Sequence, residues 1–189
     1  MSMVNEKVID NKESVIKDSG SMREFATGAH RDNAEGKGRC DLIPMEVASV
    51  FFREDPVFVK LAKYQNTDDV GCLYDALDLF AEQKSNESSD CYNKERYIQA
   101  KACILLEVAK HYENGANKYG ENNWQKGMPL KVYYDSALRH YLKYRMGMQD
   151  EPHDSAFIWN VFALLWTKGH EKEFTESRNI AICGNNVVK

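Results

Sequence analysis

The chain has 189 residues and a formal net charge of −4, from 25 Lys and Arg against 29 Asp and Glu. With 43% hydrophobic and 11% aromatic residues it can bury a real core without disulfide staples. A pI near 5.8 excludes duplex nucleic acid as the main partner, and no apolar run approaches the roughly 18 residues of a membrane span.

Residues 1–24 mix charge with Ser, Asn and Gly and hold few large apolar groups, so a mobile polar terminus is expected. They contain no apolar stretch typical of a secretory signal. The five cysteines, Cys40, Cys72, Cys91, Cys103 and Cys183, are odd in number and form no CxxC pair, which reads as reduced thiols in a cytoplasmic protein. In that compartment the Asn86-Glu87-Ser88 sequon carries no meaning. From Phe25 to Pro44 the sequence shows neither helical nor strand period and includes Gly28, Gly36 and Gly38, the composition of a loop that holds something.

Helical spacing starts at Met45–Phe52, is interrupted at Pro56 and resumes over Val57–Tyr64. Residues 70–83 place Leu73, Leu77 and Phe80 on one face, and Lys84–Asn93 reads as a linker. Three stronger helices follow. Glu95–Glu113 carries a stripe of Ile98, Ala102, Leu105, Ala109 and Tyr112, with Gly115 as its stop signal. Leu130–Met146 carries Tyr134, Ala137, Leu138 and Tyr141, ending at Gly147. Pro152–Lys168 opens in an acidic first turn and ends at Gly169. With no sustained strand alternation, the expected fold is an all-α helical bundle with an irregular N-terminal arm. The expected organisation is a polar terminus over 1–24, one helical domain over 25–168 with 53–97 its least diagnostic part, and a polar tail over 169–189.

Chemistry is sought where polar groups interrupt apolar surface. Residues 102–109 are apolar on nearly every side of the helix, which predicts a helix surrounded by protein, yet they include Glu107. A buried carboxylate requires a cation, a metal or a donor. A structural salt bridge and a ligand role stand at even odds. Glu107 and His111 lie about 40° apart on the helical wheel, whereas Asp135 and His140 are about 140° apart and face different neighbours. Asp135 and Arg139 have the spacing of a surface ion pair. On the last helix His153, Ala156, Asn160, Ala163 and Thr167 form a small, polar edge that can line a pocket. Glu107, His111, Asp135, His153 and Asp154 on neighbouring helices would make a hard site for Mg²⁺ or Mn²⁺. In the connection Asn114–Pro129, Lys118 and Lys126 suit phosphate, Asn122 and Asn123 suit polar base edges, and Tyr119 or Trp124 could stack on a base. The alternative there is a turn-rich loop whose Trp caps the core. Gly36-Lys37-Gly38-Arg39 raises the same possibility without being a P-loop.

Three blocks then carry a resemblance: Phe25–Asp32 with Gly36–Pro44; Leu106–Gly127, which includes Gly-Ala-Asn-Lys-Tyr-Gly-Glu-Asn-Asn-Trp; and Asp135–His140 with Asp150-Glu-Pro-His-Asp154 and Trp159-Asn160. Together they resemble the phage and prophage dATP/dGTP diphosphohydrolase family, related to the all-α MazG-like nucleotide pyrophosphohydrolases. The resemblance implies a MazG-like bundle that splits a purine deoxynucleoside triphosphate into monophosphate and pyrophosphate with Mg²⁺ or Mn²⁺. It also implies a homo-oligomer in the cytoplasm, the host's if phage-encoded. MazG-like enzymes carry ExxE and ExxD pairs; here Glu107 fits the first acid, position 110 is Lys, and the last helix offers His153 and Ala156. The expected catalytic and metal set is therefore Glu107, His111, Asp135 and His153, with Asp154 as a further ligand. Lys37, Arg39, Lys118, Lys126 and Arg139 are the expected phosphate contacts, and Asn123, Trp124 and Asn160 the base or sugar contacts. Two other readings stand beside this one. One is a non-catalytic nucleotide- or partner-binding protein, prompted by Lys110 and Ala156. The other is an HD-type phosphohydrolase, prompted by His111 and His153-Asp154 and disfavoured because no Asp follows Asp154.

Overall fold

The computed structural model describes residues 21–86 and 94–174, so Cys91, Cys183, most of the sequon and of the polar terminus, and residues 175–189 of the tail lie outside the described residues. Six α-helices are described: α1 (Met45–Phe51), α2 (Pro56–Thr67), α3 (Gly71–Asn86), α4 (Lys94–Tyr119), α5 (Leu130–Arg145) and α6 (His153–Gly169). The protein is an all-α helical bundle, as its apolar periodicity predicts. Short connections pair α2 with α3 and α5 with α6, and α4 lies across α3 and α6.

Local chemistry fixes these elements. Asp55 caps α2 by accepting the Phe58 amide at 3.0 Å, and Pro56 supplies the preset φ of a first helical residue. The same Asp55 oxygen accepts from the Tyr141 hydroxyl at 2.6 Å, so one carboxylate both starts α2 and ties it to α5. The expected α5 stripe, Tyr134, Ala137, Leu138 and Tyr141, is buried throughout. Phe80, Tyr141 and Phe157 join α3, α5 and α6 in a cluster of tilted and edge-on rings.

Four boundaries differ from the sequence reading. Two short antiparallel strands, β1 (Met22–Glu24) and β2 (His30–Asp32), form a hairpin where a mobile end and a loop are expected; three residues are too few for alternation to register. Lys84–Asn86 extends α3 into the expected linker. Gly115 sits inside α4, which runs on to Tyr119 and ends at Gly120, whose φ of +87° fits a glycine. Pro152 stands just before α6 as its cap residue.

The largest correction concerns the environment of α4. Most of its expected buried stripe faces outward: Ile98 is 50% and Leu105 53% exposed and Ala102 and Ala109 are exposed, as is neighbouring Leu106 at 68%, whereas Tyr112 packs inward on Trp124 and Trp159 and Val108 is the buried residue. Glu107 is accordingly no interior carboxylate: its side chain is 44% exposed and pairs with Lys110 at 2.8 Å. An all-round apolar helix implies all-round burial only when neighbours cover every side, and among the described residues α4 packs on α3, α6 and the 123–126 turn.

These placements predict opposite responses to substitution. Asp55→Ala removes a cap and strands the buried Tyr141 hydroxyl, at a cost of about 2–4 kcal/mol. Leu106→Gln, at an exposed position, stays within about 0.5 kcal/mol of the parent. Urea denaturation monitored by circular dichroism measures both.

Candidate functional site

A cavity of about 890 Å³ opens between the N-terminal arm and the α4–α5–α6 face. This lies within the roughly 300–1,000 Å³ of small-molecule sites. The arm is its fourth wall. Asn123 holds it there, accepting from the His30 amide and donating to the His30 carbonyl, both at 2.8 Å. Thr27 adds a bond to the Gly127 carbonyl and Lys126 one to the Gly28 carbonyl. On the other side of the arm, Asp135 accepts the Cys40 amide at 2.6 Å and the Asp41 amide at 3.3 Å, fixing the short turn Cys40–Leu42 against α5.

Cations gather on the wall: Arg23, Arg31, Lys37, Arg139 and Lys143. Arg31 is the central one. It donates to the Asn160 side chain at 2.5 Å and lies over the Tyr133 and Trp159 rings at 5.5 and 5.4 Å. Burial, aided by Arg23 and Arg139, lowers its pKa to about 10, which still leaves it cationic at neutral pH. Lys37 is likewise lowered, by burial first. Aromatic surface comes from Tyr112, Tyr119, Trp124 and Trp159. Tyr112 packs against Trp124 and Trp159 at 5.3 and 5.9 Å. Tyr119 donates to Asp32 at 2.6 Å, and burial with that carboxylate pushes its hydroxyl up to about 12.

Among the described residues, three buried donors on residues of this wall have no hydrogen-bond acceptor: Arg23 Nε, Arg31 Nη1 and Trp159 Nε1. Buried N–H groups without acceptors each cost on the order of 1–3 kcal/mol. All three residues are on the cavity wall, although these particular atoms are covered by protein.

At the α5–α6 end stand His140, Asp150 and Glu151, with His153 behind them. The His140 and His153 Nδ1 atoms are 3.1 Å apart, and His153 Nε2 is 2.8 Å from Asp150 Oδ1. Ligand atoms of His140, Glu151 and His153 all lie within 4.8 Å of one another. His140 is held well below its ordinary pKa by burial, then by His153, Arg139 and Arg31.

The sequence-predicted site residues divide. Lys37, Asn123, Trp124, Arg139 and Asn160 line the cavity, as does His111. Arg39 pairs with Asp41 at 2.5 Å and Lys118 with Asp32 at 2.7 Å, while Lys126 reaches Gly28; all three lie off the wall and brace the arm or its turn. The five expected metal ligands do not converge. Glu107 faces outward, Asp135 serves the arm and Arg139 at 2.7 Å, and Asp154 lies 3.4 Å from Lys84. His111 packs against Trp159 at 5.3 Å, which leaves His153 alone in a His/carboxylate group. Of the expected pocket edge on α6, Asn160 reaches the cavity, whereas Ala156, Ala163 and Thr167 are buried off it. Sequence reasoning missed Arg23, Arg31, Trp159, His140, Asp150 and Glu151 as wall residues. The signal was present in His30-Arg31-Asp32 and Asp150-Glu151-Pro152-His153, but the arm and α6 lie 129 residues apart at the Arg31–Asn160 contact.

The fold and cavity define an all-α protein with a cleft suited to an anionic ligand that carries a ring. Residues 85–177 match the family model described as dATP/dGTP diphosphohydrolase, N-terminal. Neither the curated proteins nor the solved structures searched gave a match. The matched region supplies α4, α5 and α6, whereas the arm with Arg23, Arg31 and Lys37 precedes it.

The buried His111 gives the wall a pH signature. Burial, then the charge of Arg31, lowers its pKa from 6.5 to about 4. The unfolded chain therefore takes up a proton near 6.5 and the folded chain near 4, so the contribution to stability is complete above 6.5 and falls away as pH drops toward 4. His140 acts in the same direction, so a difference is needed. Thermal unfolding of the parent and of His111→Asn from pH 7.5 to 4 is expected to show the parent losing stability more steeply with acid.

Proposed function

We propose that the cavity binds a purine deoxynucleoside triphosphate and that the protein hydrolyses it to the monophosphate and pyrophosphate. The observation that carries this reading is the gathering of five cations, Arg23, Arg31, Lys37, Arg139 and Lys143, and four aromatic rings on the wall of one cavity. A triphosphate offers many acceptor oxygens and negative charge, and the guanidinium fork suits it better than an ammonium. The base offers a π face to Trp124, Tyr112 or Trp159. The family description, which names dATP and dGTP, supports the purine deoxynucleotide class.

In this reading Arg31, Arg139 and Lys37 hold the phosphates and screen the charge that opposes attack at phosphorus. Asn160 orients Arg31, and Asn123 keeps the arm closed over the ligand. A divalent cation of the Mg²⁺ or Mn²⁺ class supplies Lewis acidity and a more acidic water when bound. The Glu151 carboxylate is a wall group of the α5–α6 end that can hold a water or accept its proton.

A second reading, a nucleotide binder without turnover, draws on the loss of the expected acids: Glu107, Asp135 and Asp154 are spent on Lys110, Arg139 and Lys84. Incubation of the purified chain with each of the four dNTPs, with Mg²⁺ or Mn²⁺, separates the two by chromatography of the products. The expected outcome is dAMP or dGMP with pyrophosphate, a kcat/KM lowered about 10²–10³-fold in Arg31→Ala, and no change in Glu107→Gln. Saturable dGTP binding without product in either ion would establish the binder instead.

A further inference from the structure

The geometry points to a nitrogen-rich metal seat formed by His140 Nδ1, His153 Nδ1 and the Glu151 carboxylate, which takes a transition ion such as Mn²⁺, Co²⁺ or Zn²⁺ in preference to Mg²⁺. Three observations converge on it. The two Nδ1 atoms stand 3.1 Å apart. Two nitrogens each about 2.1 Å from one ion are separated by roughly 3.0–3.4 Å when the angle at the ion lies between about 90° and 109°. His153 is oriented from its far side: in the tautomer that donates Nε2–H to Asp150 Oδ1, 2.8 Å away, its Nδ1 lone pair faces His140. A carboxylate behind a ligating imidazole fixes the ring and raises its basicity, the usual support of a metal-bound histidine. Glu151 then brings a ligand oxygen within 4.8 Å of a ring nitrogen of each histidine, on a side chain that is 15% exposed.

The surrounding charges permit an ion. Lys143 forms long ion pairs with Asp150 at 3.6 Å and Glu151 at 3.7 Å, beyond hydrogen-bonding distance, so it holds these carboxylates loosely enough for a bound ion to compete. Asp150, Glu151 and Asp154 surround the start of α6, and offset the positive end of the helix dipole at that point. His153 closes the seat from behind with a side chain 1% exposed, while His140 and Glu151 line the cavity that Arg139 and Lys143 also line, leaving the remaining coordination positions open on the cavity side. Two imidazoles and one carboxylate are a borderline donor set, whereas Mg²⁺ prefers oxygen and keeps its waters. The assignment of those open positions to phosphate oxygens and water rests on the nucleotide reading; the seat itself does not.

The test is isothermal titration of the chelator-stripped full chain with Mn²⁺, Zn²⁺ and Mg²⁺, together with the visible spectrum of its Co²⁺ form. One equivalent of Mn²⁺ or Zn²⁺ is expected to bind at least tenfold more tightly than Mg²⁺. Binding is expected to fall at least tenfold in His140→Gln and in Glu151→Gln, the latter at a partly exposed position where circular dichroism should show the fold retained. Asp150→Asn should weaken binding while keeping the one-to-one stoichiometry. Transition-ion binding that persists unchanged in both His140→Gln and Glu151→Gln, or tighter binding of Mg²⁺, would overturn the seat. Nucleotide turnover without this binding would sink the seat and spare the proposed activity, and the binding without turnover would do the reverse.

Discussion

The cavity exists because one side chain imitates a strand. Asn123 pairs with both the amide and the carbonyl of His30, the two-bond pattern a neighbouring strand would supply, and thereby joins the arm to the end of α4. Asn122, just before it, adopts a left-handed φ of +57°, a conformation asparagine tolerates better than most residues. The arm's side of the wall depends on this seam. With the arm docked, β2 presents Arg31 to Asn160 and Asp32 to Tyr119 and Lys118. Without it the α4–α5–α6 face would be an open, aromatic-lined surface.

Arg31 shows how a bundle can keep a cation where water is scarce. Its guanidinium has one polar partner in Asn160 and two ring faces in Tyr133 and Trp159. Guanidinium is weakly hydrated and stacks on rings, so it tolerates such a place better than lysine would. Neither partner satisfies Nη1, however, and the Trp159 indole N–H nearby is equally without an acceptor.

The acids are used in an economical division. Asp55 and Asp135 are buried and act on backbone amides, the first starting α2 and the second pinning the Cys40–Leu42 turn to α5. Asp32 braces the arm through Tyr119 and Lys118. Asp150 and Glu151, in the loop between α5 and α6, stand beside two histidines that approach each other across that helix pair. Carboxylates that look alike in sequence are thus separated by what lies opposite them.

The sequence by itself determined the helices of the bundle and the inward faces of α5 and α6. Their apolar spacing at three and four residues, with proline before and glycine after, is a local property that any packing must respect. The resemblance to the dATP/dGTP diphosphohydrolase family, too, was legible in motif blocks that need no coordinates. Which side of α4 is covered was decided only by tertiary structure, because burial depends on what packs against a helix; Glu107 and Leu106 read as interior and lie on the outside. The meeting of Arg31 with Asn160, and of His140 with Glu151 and His153, was likewise a tertiary decision. Neighbours on a helical wheel can be counted from a sequence, whereas groups brought together by a docked arm or a helix pair share no period that a sequence could display.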